Sequence, residues 1–151
     1  MKTYKSTVPQ FKITKNKDFP SNFQKAQIRV SKDSCNYIRQ FYGDDIEVYE
    51  SFFILLLNRS NNTIGWAKIS QGGVAGTVVD LKIVLKYSIE SLASSVILAH
   101  NHPSGSTKPS QADLDITKKA KEALRLCDIT LLDHIILTDS EYYSFADEGR
   151  I

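Results

Sequence analysis

The sequence predicts an α/β fold, an α-β-α sandwich with a mixed central sheet. Three observations point to it. The runs "ESFFILLL", "SVILAH" and "ITLLDHIIL" are apolar on both faces, as in strands covered on both sides. Two amphipathic stretches, "VVDLKIVLKYSIESLASS" and "SQADLDITKKAKEALRLCD", alternate with them and read as helices. An initial hairpin followed by alternating helices and strands gives a mixed sheet rather than an all-parallel one. A length of 151 residues suits one domain around a single core.

Residues 1–26 are polar, contain Pro9 and Pro20, and read as an N-terminal extension. Within it "QFKIT" is either an edge strand or part of a disordered stretch. The domain proper is expected over residues 27–151. "QIRV" reads as a short strand. "SKDSCNYIRQFY" reads as a helix with Ser31 as N-cap and Gly43 as terminator. "YESFFILLLN", the turn "RSNN" and "TIGWAKIS" form a hairpin. "QGGVAGT" is a flexible loop. It lacks the GK[ST] of a P-loop, so it is placed to border a groove rather than to cradle phosphate. The next helix has Asp80 as N-cap and Leu81, Leu85, Tyr87, Ser88 and Leu92 inward. The following helix carries Ile116, Ala120, Ala123, Leu124 and Cys127 on one stripe. "DSEYYSFADEG" closes the chain with a turn and a short final strand.

Composition narrows the function. A net charge of +2 is too small to imply nucleic-acid binding by charge alone. The lysines of "MKTYKSTVPQFKITKNK" and "TKKAKEALR" read as a solvated tail and a solvated helix face. Cys35 and Cys127 lie far apart and match no CxxC pattern, so free thiols in a reducing cytoplasm are expected. No apolar run approaches membrane-spanning length, and the N-terminus has no apolar signal core, so no membrane partner is expected.

The chemistry gathers around "AHNHPSG". Side chains two apart on a strand share a face, so His100 and His102 aim their imidazoles one way. Pro103 cannot extend a ladder and stops the strand there. That places the pair at a strand's C-terminal end, where α/β folds bind ligands. In "PSQAD", Ser110 and Asp113 have the spacing of a helix-capping box, which needs no chemistry. Capping nonetheless brings Asp113 into the first helical turn, close to the loop that leaves His102. Two imidazoles and a carboxylate leave one position of a tetrahedral zinc open, as in catalytic sites. Glu50, opening a buried apolar strand, is either an ordinary exposed strand end or a general base. His134 is set aside as structural or as support for a ligand, since Asp133 and His134 face opposite sides of a strand. HExxH and the deaminase pattern H-x-E…P-C-x-x-C are both absent.

Together Glu50, His100, His102, Ser110 and Asp113 spell E…H-x-H-x7-S-x2-D, which resembles the JAMM motif of JAB/MPN metalloproteases. "HNHPSG", "PSQAD" and "LLDHIIL" followed by "YYSFADEG" resemble the RadC-like branch more closely. The resemblance runs from about Gln27 to Ile151 and implies a JAB/MPN, cytidine-deaminase-like fold. It implies Zn²⁺ held by His100, His102 and Asp113, Glu50 as general base, and Ser110 stabilising an oxyanion or orienting the site. Capping and oxyanion duty compete for the Ser110 hydroxyl. The reaction implied is hydrolysis of a peptide or isopeptide bond in a protein or peptide substrate. The competing expectation is a DNA-repair or mobile-element protein of RadC type that acts on DNA or binds it, as a nuclease or a non-catalytic module. The helix-hairpin-helix segment of longer RadC proteins does not fit into the first 26 or so residues, as in stand-alone short forms.

Overall fold

The computed structural model describes residues 24–73 and 76–151. β1 (Ser51–Leu57) is buried at every position, as its unbroken apolar run requires. It turns back through Asn58–Asn62 into β2 (Thr63–Gln71). The Asn58 carboxamide oxygen accepts the N–H groups of Ser60 and Asn62, and Asn61 takes the left-handed conformation (φ 57°) that asparagine tolerates. α2 (Leu81–Glu90) leads to β3 (Ser95–Asn101), and α3 (Gln111–Leu126) crosses over to β4 (Thr130–Leu137). β5 (Tyr142–Ser144) closes the sheet in the order β2-β1-β3-β4-β5. Only β3 and β4 are parallel, so the sheet is mixed. A parallel pair needs a long crossover, which α3 supplies.

Strand alternation splits the apolar side chains into two cores, one on each face. Phe52, Ile54, Leu56, Val96 and Leu98 meet Val84 of α2 and Ala120 and Leu124 of α3. Leu55, Leu57, Ile97 and Ala99 meet Cys35 and Ile38 of α1 (Ser31–Arg39). The expected α-β-α sandwich is therefore the observed fold. β4 carries one irregularity. Val96 pairs with Leu131 but Ile97 pairs with Asp133, so Leu132 is an extra residue in β4. The bulge inverts the facing of everything after it. His134 therefore lies on the α2/α3 face with Leu98 and His100, and Asp133 on the α1 face.

Several local expectations are corrected. "QIRV" forms no strand; Gln27 makes one isolated bridge to Asn62. The Asp33 carboxylate instead accepts the N–H groups of Arg29 and Val30, turning the chain into α1. Val30 is the N-cap, and Ser31 is already helical, donating its hydroxyl to Asp147 at 2.6 Å. The helix stops at Arg39, before Gly43, as Phe41 leaves to stack on Trp66 and Tyr42 donates to the Ser51 carbonyl. α2 begins at its Asp80 cap but ends at Glu90, so Leu92 falls in the turn beyond it, with φ 54° and 71% exposure. Its buried residues are Val84 and Ser88, flanked by Leu81 and Leu85, while Tyr87 sits at the rim. Cys127 is exposed because α3 ends at Leu126 and Asp128 (φ 57°) reverses the chain. Both cysteines are free. The "QFKIT" stretch lies outside the described residues. Among the described residues no helix is long and apolar enough to cross a membrane.

Candidate metal centre

His100 is the penultimate residue of β3, opposite Phe52 of β1 and Ile136 of β4. Its ring is buried and lies nearly parallel to that of Phe52 (5.7 Å, 11°). His102 lies just past the strand, but its N–H still donates to the Leu137 carbonyl. The extended alternation therefore carries through it, and the two Nε2 atoms meet at 3.0 Å. The chain then turns at Gly105, whose φ of +80° favours glycine and whose N–H donates to the His102 carbonyl. The turn brings the Ser106 carbonyl within 2.7 Å of His102 Nδ1. A carbonyl only accepts, so Nδ1 carries the proton and Nε2 offers its lone pair.

α3 starts with the reciprocal box anticipated from "PSQAD". Ser110 Oγ accepts the Asp113 N–H at 3.1 Å, and Asp113 Oδ2 accepts the Ser110 N–H at 2.7 Å. The cap uses a lone pair of the Ser110 oxygen and leaves its hydroxyl hydrogen free to donate. The same carboxylate reaches the histidines: Oδ1 is 3.0 Å from His100 Nε2, and Oδ2 is 3.4 Å from His102 Nε2. Burial pushes the Asp113 carboxyl pKa up, but the two imidazoles beside it outweigh that and hold the group far below the usual carboxylate range. The same contact raises the pKa of His102, against the pull of burial.

The three residues each offer one donor atom, and these atoms lie within 4.8 Å of one another. Donors at 2.0–2.1 Å around a tetrahedral ion stand roughly 3.3 Å apart. The two imidazole nitrogens stand 3.0 Å apart, close to that spacing, and one carboxylate oxygen of Asp113 lies 3.0 Å from His100 and the other 3.4 Å from His102. The group can therefore hold a metal ion.

Glu50 lies one residue before β1, so the expected strand start is off by one. Its backbone is held by the Gly72 N–H at 2.8 Å and the Gly73 carbonyl at 3.3 Å. Continuing the Phe52–His100 register by two residues places Glu50 opposite His102, on the same face. Glu50, His102, Ser110 and Asp113 all line one open cavity, whose other wall includes Gly76 to Val79. Gly76 and Thr77, the end of "QGGVAGT", thus border the groove. A Cβ on Gly72 would fall 1.8 Å from the Gly76 carbonyl oxygen, which explains the glycine there.

Three residues around the centre were not singled out as functional from sequence. Asn101, between the two histidines, points to the opposite face and is buried. Its Oδ1 accepts the Ser51 N–H at 2.8 Å, and its Nδ2 donates to the carbonyls of Ile46 and Tyr49 at 2.6 and 2.8 Å. One carboxamide thus ties the segment leading to Glu50 onto the strand carrying the histidines. Asn101→Ala leaves these groups unpartnered and is expected to cost ~2–4 kcal/mol in urea denaturation. A loss under about 0.5 kcal/mol would contradict that role. The alternation of "HNH" was the available signal: a fully polar residue on the inward face of a buried strand.

The other two are His134, left earlier as structural or supporting, and Thr117 of α3. His134 Nε2 is 2.9 Å from His100 Nδ1, and His134 Nδ1 is 2.6 Å from Thr117 Oγ1. Complete burial, reinforced by the neighbouring His100, drives the His134 pKa well below its ordinary value. Asp133, on the other face as expected, accepts from Ser144 Oγ and the Ala146 N–H and secures the C-terminal segment. Burial raises its pKa, opposed by those hydrogen bonds.

These features define an α/β domain with a two-histidine, one-carboxylate group at the C-terminal end of its central strand. The chain belongs to the RadC-like JAB domain family, whose sequence model matches residues 28–150. It is 47% identical over 123 residues to a UPF0758 protein of Flavobacterium johnsoniae, covering 82% of this chain and 53% of the relative. A UPF0758 protein of Porphyromonas gingivalis is 43% identical over 103 residues, covering 68% and 45%. One of Shewanella baltica is 37% identical over 131 residues, covering 86% and 57%. The chain spans about half the length of the curated relatives it matches.

Proposed function

We propose that this chain is a zinc-dependent hydrolase of peptide or isopeptide bonds, the JAMM-type reading of its five motif residues. One observation carries it: the convergence of His100, His102 and Asp113 on one point of a cavity that Glu50 and Ser110 also line. Nε2 of His100, Nε2 of His102 and the Asp113 carboxylate would hold the ion. Nitrogen and oxygen donors of this kind suit zinc, and three protein ligands suit a catalytic site. Bound zinc would supply Lewis acidity toward water and the scissile carbonyl. Glu50, opposite His102, takes a proton from the attacking water on its carboxylate and returns it to the departing amine. Ser110 keeps its hydroxyl hydrogen to donate to the oxygen that gains negative charge.

The cavity favours an extended peptide over nucleic acid. Lys108 is the single Lys or Arg among the described residues lining it, which offers little to a phosphate backbone. DNA binding is expected to be weak. Two free thiols suit a reducing cytoplasm. The test is cleavage of a quenched fluorogenic peptide library by zinc-loaded protein. Cleavage that disappears with a chelator and returns with zinc is expected. Tight, steeply salt-dependent DNA binding with metal-dependent nuclease activity, and no peptide cleavage, would overturn the proposal.

A further inference from the structure

Three contacts run from His100 to Asp113 through residues outside the three-donor group. His100 Nδ1 meets His134 Nε2 at 2.9 Å, His134 Nδ1 meets Thr117 Oγ1 at 2.6 Å, and Thr117 Oγ1 meets the Asp113 carbonyl oxygen at 2.5 Å. His100, Thr117 and His134 are buried, and every buried side-chain nitrogen and oxygen among the described residues has a partner. No solvent is needed to complete the chain of bonds.

The direction of the chain follows from its last member. A carbonyl only accepts, so the single Thr117 hydroxyl hydrogen points at Asp113. Thr117 Oγ1 must then accept from His134, which puts the His134 proton on Nδ1. A buried neutral imidazole carries one proton, so His134 Nε2 is bare and accepts from His100. His100 therefore carries its proton on Nδ1 and turns the Nε2 lone pair toward His102 and Asp113. We propose that His134 and Thr117 are positioning residues: they fix the tautomer of His100 so that its Nε2 stays open to a metal ion. The inference rests on the metal reading given under the proposed function.

Two features of the fold serve this arrangement. The bulge at Leu132 brings His134 onto the face of His100. The helical i, i+4 spacing hangs Thr117 from the carbonyl of Asp113, so the relay begins on the backbone of the third ligand. His102 needs no such relay, because its Nδ1 is set directly by the Ser106 carbonyl. His100, deep in the sheet with its ladder carbonyls engaged, takes an imidazole in that place. Outer partners of metal-bound histidines commonly act in this way, through a carboxylate, carbonyl or water.

The test compares wild type, Thr117→Val and Thr117→Ser. Valine keeps the shape but removes the hydroxyl, leaving His134 free to protonate Nε2. That proton would face His100 Nδ1 and move the His100 proton to Nε2, where the metal must bind. Zinc affinity, measured by competition with a chromogenic chelator, is expected to fall ~10- to 100-fold in the valine variant. The serine variant, which restores the hydroxyl, is expected to bind as the wild type does. Long-range ¹H–¹⁵N spectra of the histidine rings in metal-free wild type should show His134 protonated on Nδ1, a reading that a merely packed residue would not require. His134 protonated on Nε2, or a folded valine variant that binds zinc as tightly as wild type, would overturn the proposal. If the wild type takes up no zinc, the metal reading fails instead, and the His134 spectrum of the same sample still upholds or overturns the proton order.

Discussion

Glu50→Gln is expected to bind zinc as the wild type does and to cleave peptides ~10²- to 10⁴-fold more slowly. The reason is the division of labour between elements. The three converging donors come from the end of β3 and the start of α3, whereas Glu50 comes from the approach to β1 and is not among them. Glutamine keeps the side chain's size and leaves the backbone bonds to Gly72 and Gly73 intact. It cannot take a proton from water. Turnover of chelator-stripped and zinc-reloaded protein on the peptide library checks this, beside a zinc titration of the same sample. Full activity in the variant would remove Glu50 from the mechanism; lost zinc would make it a ligand.

Asp113→Ala is expected to lose zinc binding and ~1–2 kcal/mol of stability together. One side chain serves two structures here. Its carboxylate approaches both imidazoles, and the same group closes the capping box on Ser110. Two further variants separate the roles. Asp113→Asn keeps an acceptor for the Ser110 N–H but removes the charge, so zinc should be lost with most of the stability kept. Ser110→Ala should lose ~1 kcal/mol of cap with zinc binding retained. Calorimetric zinc titration and thermal denaturation on the three proteins read the outcomes. An asparagine variant that binds zinc like wild type would exclude the carboxylate as a ligand.

Local rules carried much of this centre. Two-residue alternation put both histidines on one face, and capping put Asp113 beside them, because strand facing and helix starts are set by near neighbours. Glu50 was different. Its place opposite His102 depends on the β1–β3 register, a long-range pairing that a local reading does not see; the local pattern left it as either an exposed strand end or a general base, and the motif resemblance chose between them. The contact of His134 with His100 was hidden by one extra residue: counted without the bulge at Leu132, it faces α1 and cannot meet His100. Thr117 looked like an ordinary helix residue until its hydroxyl was seen between Asp113 and His134. The misplaced elements share a cause. "QIRV" has strand composition, but its backbone N–H groups at Arg29 and Val30 go to the Asp33 carboxylate, and Leu92 keeps helical spacing past the point where α2 stops.

Zinc uptake by metal-stripped protein tests the account most directly. Wild type titrated with zinc, with bound metal counted by mass spectrometry, should take up about one ion per chain, and His102→Ala should take up none. A wild type that binds no zinc, or a His102→Ala protein that binds it equally well, would contradict the centre built from His100, His102 and Asp113.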